Sequence, residues 1–206
     1  MASTELILTI YSRNIQSLIS IFEDSAQIRA QKEKEMEARI NELAGDEIET
    51  FSLYSYHFDW LLLQALFISG FTYFEVFMKS MAEIVEKEFA NKSKIKLNDI
   101  KGNGHLDTYR KYLFLIGEIE YANENLKEWK DIQEFKLIRN AITHDYGIIK
   151  KKLNKIIEHD LFLGKNENFI RIRKISFLED FVKISTSYMN MIVEELDNKI
   201  YNNYNS

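Results

Sequence analysis

The sequence predicts an all-α fold, a helical bundle with at most one small hairpin. Three observations predict it. The chain of 206 residues contains no proline, so nothing of that kind interrupts a helix. Apolar residues recur at steps of three and four over long stretches, the spacing that gathers them on one helical face. Turn signals are sparse and concentrated near the glycines.

The first helix is expected from Thr4 to about Ala44. Leu6, Ile7, Ile10, Leu18, Ile21 and Phe22 supply its apolar stripe. From Gln31 to Arg39 the residues become almost wholly charged, so that half projects into solvent or packs by its flank. Gly45-Asp46 marks a turn. A second helix, about Ile48 to Ala90, carries Trp60, Leu63, Phe67, Phe71, Phe74 and Met78 at helical spacing. An exposed face does not tolerate that aromatic density, so this is the central core helix. Its uncharged run, Trp60 to Phe74, has fifteen residues. A bilayer span needs about 20, so a buried helix is the expected reading.

Lys101 to Gly104 (KGNG) reads as a loop, because neither spacing of a glycine-rich phosphate cradle is present. His105 to Leu115 is a short helix. Asn125-Leu126-Lys127-Glu128 resembles a capping box opening the next helix, which runs to about Asp145 with Gly147 as its stop. Ile148 to Glu158 reads as a lysine-rich helix. Leu161–Leu163 and Phe169–Ile172 flank Gly164 to Asn168 as a hairpin would. Phe177 to about Asn198 is the last helix, and Tyr201 to Ser206 is expected to fray.

Composition narrows the chemistry. There is no cysteine, which removes disulfides, thiol nucleophiles and Cys-ligated metals. The four histidines are His57, His105, His144 and His159, and imidazole chemistry must use one of them. No HExxH is present, and His57/Asp59 and His105/Asp107 are single pairs, so neither a metal nor another cofactor is expected. The net charge of −5 argues against coating nucleic acid by bulk electrostatics. Its distribution is uneven: −7 over residues 1–126, +5 over 127–174 and −3 thereafter. Lys150, Lys151, Lys152 and Lys155 are the densest part of the positive stretch, as a solvated helix face or as a basic track. The N-terminal residues carry no basic export region, so a cytoplasmic protein without a membrane anchor is expected.

The informative segment is Phe135 to Gly147 (FKLIRNAITHDYG). Ile132, Phe135, Ile138 and Ile142 share one helical face, and Arg139 lies only about 40° from Phe135, inside that stripe. An arginine there is paired, snorkels or faces an interface; Glu75 or Glu83 would serve as structural partners. Asn140 and His144 are one turn apart and can meet. Arg139 and His144 are about 140° apart around the axis and about 7.5 Å along it. One straight helix does not converge both on a phosphate, whereas two helices about a two-fold axis could. His144 lies in the last turn, where the helix dipole favours a cation.

Arg139-Asn140-Ala141-Ile142-Thr143-His144 resembles the Arg-x4–6-His signature of HEPN domains (higher eukaryotes and prokaryotes nucleotide-binding), in which a polar residue such as Asn commonly follows the arginine. The resemblance covers about Phe51 to Leu196 and leaves residues 1–50 as an N-terminal helical extension of a HEPN-like domain at 51–206. It implies an up-and-down bundle that dimerises along the motif helix. It also implies a metal-independent endoribonuclease of toxin–antitoxin or anti-phage (abortive infection) systems. By position, Arg139 would stabilise the scissile phosphate, His144 would act as general acid–base, and Asn140 would orient His144 or the phosphate. Products would carry a 2′,3′-cyclic phosphate and a 5′-hydroxyl, and Lys150, Lys151, Lys152 and Lys155 would follow the RNA backbone. Arg139-x4-His144-x-Tyr146 further resembles HEPN toxins paired with minimal nucleotidyltransferase antitoxins, in which that tyrosine is adenylylated; the alternative is a tyrosine that packs at the helix end. The rival function is a non-catalytic HEPN-like module that binds nucleotide, RNA or a partner protein. A coiled-coil adaptor finds no sustained heptad to support it.

Overall fold

The computed structural model describes residues 2–39, 45–89, 91–148, 170–172 and 174–205. Five α-helices lie among the described residues: α1 (Ala2–Ala38), α2 (Gly45–Glu88), α3 (His105–Leu115), α4 (Lys127–His144) and α5 (Ile175–Asn205). Short 3-10 turns at Leu97–Asp99 and Glu120–Ala122 punctuate the connections around α3. No strand occurs among the described residues, so the all-α expectation holds.

Packing divides the chain into two compact units. The first comprises Met1–Ile15, Gly70–Lys136 and Phe181–Ser206, and the second comprises Gln16–Ser69 and Leu137–Asp180. The first unit is built on aromatic residues of α2. Phe71, Phe74, Phe77, Met78, Met81 and Val85 are buried, each about a turn or less from the next. Phe71 and Phe135 of α4 both pack on Phe181 of α5, with ring centroids 6.1 and 5.3 Å away. Tyr188 of α5 lies between Phe74 and Trp129. Each such side chain contributes roughly 1.5–3 kcal/mol on burial, and the offset and edge-on ring pairs add to it. At the C-terminal end of α5, Glu195 accepts the N–H groups of Glu120 and Tyr121 at 2.9 and 3.0 Å, capping the second 3-10 turn.

The second unit buries Leu18, Leu63, Leu66, Phe67, Ile138, Ala141, Ile170, Ile172, Phe177 and Leu178. Phe67 meets Phe177 edge-on at 5.0 Å. Arg171 stacks over Trp60 at 5.1 Å. Asp59 of α2 pairs with Arg29 of α1 at 2.8 Å, whereas the charged residues 31–39 that follow are mostly exposed. Phe58–Glu88 is long and apolar enough to cross a membrane, yet half of its most apolar window is buried inside the protein, as in a core helix.

Several sequence expectations need correction. Leu6, Ile10 and Ile21 are solvent-exposed, whereas Thr4, Ile15 and Leu18 face the interior. Helical spacing centres these two sets about 120° apart around α1. Thr4 tolerates burial because its hydroxyl donates to Asp197 Oδ1 at 2.6 Å. Gly45 opens α2 instead of turning the chain before it. At Asn125 no capping box forms: the Asn123 carboxamide takes the Asn125 N–H at 2.9 Å, and α4 begins at Lys127. The chain from Tyr201 onward does not fray at once, since α5 continues to Asn205. Ile200 is buried there, and Asn203 donates to the Glu88 carbonyl at 3.4 Å. The lysine-rich helix and most of the hairpin fall outside the described residues. Ile170, a described residue of that segment, donates its N–H to Gly147 O, 2.7 Å away.

Candidate functional site at the end of the fourth helix

The site is assembled by the last two turns of α4 and the turn that follows. Ile138 and Ala141 are buried in the second unit and fix the helix rotation. With that face anchored, Arg139 and Asn140 are half-buried, while Thr143, His144, Asp145 and Tyr146 are exposed. Arg139 Nη1 donates to Asn140 Oδ1 at 3.1 Å. The structure therefore joins Arg139 to Asn140, and the Asn140 carboxamide orients the guanidinium. It does not join Asn140 to His144, whose imidazole makes no hydrogen bond to a described residue and points into solvent-accessible space. Glu83, a candidate structural partner for the arginine, pairs with Lys79 at 3.5 Å. Thr143 Oγ1 donates to Arg139 O at 2.8 Å, which braces the last turn from the side-chain layer.

Past His144 the backbone turns sharply. Asp145 N–H and Gly147 N–H both donate to Ala141 O, at 3.1 and 2.7 Å. Ile148 N–H donates to Asp145 O at 2.8 Å. Tyr146 and Gly147 have φ of 54° and 81°. Positive φ at both central residues is the signature of a type I′ turn. Gly147 adopts it at no steric cost and is the helix stop the sequence suggested. Tyr146 does not, because a bulky side chain in the left-handed region is an outlier. The turn is held by the Ile170–Gly147 bond and by Gln64 of α2, which donates to Ile170 O at 3.4 Å. The Tyr146 ring is 89% exposed, so the expectation of a tyrosine packed at the helix end is overturned.

The arrangement offers a planar cation fixed by a neighbouring amide, an imidazole open to solvent, and an accessible phenol two residues on. It suits electrostatic stabilisation and proton transfer at an anionic substrate. Among the described residues no group of three or more His, Asp or Glu side chains could hold a metal ion. Lys150, Lys151, Lys152 and Lys155 lie outside the described residues.

A second polar cluster, which the sequence reading missed, lies in the first unit. Arg110 of α3 is 3% exposed. Its Nε and Nη2 both donate to Asp107 Oδ1 at 2.9 Å, and its Nη1 donates to Ala122 O at 2.9 Å. Its guanidinium also covers the Trp129 ring at 5.4 Å. The second Asp107 oxygen accepts the Asn103 N–H at 2.8 Å, which ties the KGNG loop to α3. The i,i+3 spacing of Asp107 and Arg110 was a readable signal for that pair; the depth of burial was not.

No protein-family model matches the chain, and no curated protein or solved structure matches it either.

Proposed function

We propose that the protein is a metal-independent endoribonuclease of the HEPN type, acting in the cytoplasm within a toxin–antitoxin or anti-phage system. The observation that carries this reading is the end of α4: Arg139 held by Asn140, with the His144 imidazole open to solvent one turn on. In this reaction the ribose 2′-oxygen attacks the adjacent phosphorus as the P–O5′ bond breaks. His144 takes the 2′-hydroxyl proton or supplies a proton to O5′, and Arg139 balances the charge that develops on the phosphoryl oxygens. The products are a 2′,3′-cyclic phosphate and a 5′-hydroxyl. Because Arg139 and His144 diverge by about 140° on one helix, two copies of the chain supply one site, and the active form is an up-and-down bundle paired as a homodimer. Lys150, Lys151, Lys152 and Lys155 add local affinity for the RNA backbone.

The test is chemical. Cleavage of RNA should proceed in excess chelator, leave cyclic-phosphate ends and fail on an oligonucleotide whose sugars are all 2′-deoxy. Cleavage of the deoxy oligonucleotide, or loss of all cleavage with chelator, would sink the proposed mechanism. RNA that binds without being cut would favour the binding module.

The exposure of Tyr146 also supports its reading as a regulatory site. Co-expression with a cognate nucleotidyltransferase antitoxin should add the mass of AMP to the peptide containing Tyr146. An unmodified peptide in cells whose toxicity is neutralised would instead mean inhibition by binding.

A further inference from the structure

A groove in the first unit runs between the segment at Ile100–Lys101, the C-terminal half of α3 and the exit from the second 3-10 turn. Its volume is about 550 Å³, within the range of small-molecule sites. Two kinds of wall meet in it. Ile100, Phe114 and Leu115 form an apolar side, and Leu115 is solvent-exposed. Lys101, Arg110 and Lys111 bring three cations to the other. Against them stand two carboxylates: Asp107, which pairs with Arg110 at 2.9 Å and lies 3.5 Å from Lys111, and Glu124 in the lining. Lys101 has neither of them as an ion-pair partner, and one positive charge is left over on a chain whose net charge is −5.

The Arg110 guanidinium is the built part of the groove. It is 3% exposed and cannot swing away, because Asp107, Ala122 O and Trp129 hold it. One carboxylate approaches it from the groove side. Glu124 Oε2 stands 3.6 Å from Arg110 Nη2, too far for a hydrogen bond, on a side chain that is 69% exposed. A loose contact on an exposed, flexible side chain is worth little. Glu124 therefore marks where a carboxylate belongs without occupying the place firmly.

We propose that this groove binds a small amphipathic monocarboxylate, a carboxylate group joined to a short hydrocarbon chain. The carboxylate displaces Glu124 from Arg110 and gains charge-assisted contacts with Lys101 and Lys111. The hydrocarbon lies against Ile100, Phe114 and Leu115 and loses its contact with water. The groove is built entirely from the first unit, so the proposal stands apart from the ribonuclease reading.

Calorimetric titration of the full chain with octanoate tests it, with acetate, octanol and octylammonium as comparison probes. Octanoate should bind with a Kd at or below about 1 mM, at least tenfold tighter than each of the others. Glu124→Gln should tighten octanoate binding several-fold, because it removes the competing carboxylate. Lys101→Ala should weaken it several-fold. Both positions are exposed, and thermal melting of the variants should match the parent chain. Absence of octanoate binding at millimolar concentration would overturn the proposal. So would acetate or octanol binding as tightly as octanoate, or octanoate affinity indifferent to both substitutions.

Discussion

Tyr188 shows how one buried side chain can both stabilise and cost. Its ring is fully buried between Phe74 and Trp129. Its hydroxyl finds no hydrogen-bond partner among the described residues, and burial pushes the phenol well above its ordinary range. Leaving such a donor unsatisfied costs about 1–3 kcal/mol. Tyr188→Phe keeps the ring and removes the donor, so it should raise stability by about 1 kcal/mol in chemical denaturation. A loss of stability would mean that the hydroxyl has a partner. Asp107 makes the opposite case. Burial raises its pKa, but the Asn103 N–H, Arg110 and Lys111 together outweigh that and hold it below its ordinary 3.8. The folded value is thus below the unfolded one. The stability it contributes is fully present above about pH 4 and is lost as the pH falls through the folded value. Asp107→Asn should flatten stability across that acid range. Arg110→Ala should cost about 3 kcal/mol at neutral pH, because it removes the buried partner of Asp107 and leaves that carboxylate only the Asn103 N–H and Lys111.

At the scale of elements, the KGNG loop depends on close approach. A Cβ on Gly102 would stand 2.5 Å from Thr108 N and 2.6 Å from Asp107 C, both backbone atoms at the start of α3. Backbone cannot give way as a flexible side chain can, so Gly102→Ala should cost about 1–3 kcal/mol. Gly45, at the start of α2, meets nothing within 4 Å, and Gly45→Ala should change stability by under about 0.5 kcal/mol. Equal effects in urea melts would refute the contrast. The same elements show what was legible in the sequence. His105–Leu115 and the Gly147 stop were readable because local chemistry alone determines them. The aromatic spacing of α2 identified the core helix for the same reason. The buried side of α1 was not readable, because apolar residues occur on both of its sides. Leu18 was in the expected stripe and is buried, but Ile15 was selected over Leu6 and Ile10 by tertiary packing, which no local period encodes. The candidate site was partly readable: spacing put Arg139, Asn140 and His144 in the last turns of one helix, with Arg139 and His144 about 140° apart around it. The Arg139–Asn140 bond and the left-handed backbone at Tyr146 depend on rotamer and turn geometry instead.

For the whole molecule, the proposed activity requires two copies, since one α4 cannot aim both Arg139 and His144 at the same phosphate. A strict monomer by light scattering at micromolar concentration would contradict a composite site. If the arginine and histidine of a site come from different copies, mixing the Arg139→Ala and His144→Ala chains should restore cleavage, because each mixed dimer keeps one complete site. The most direct measurement follows RNA cleavage in chelator together with thermal melting for those two variants and the parent chain. The account predicts that both variants melt like the parent, that His144→Ala loses about 10²–10⁴ in rate, and that Arg139→Ala loses a comparable factor. A parent chain that cuts no RNA, or variants that lose activity only because they unfold, would contradict it.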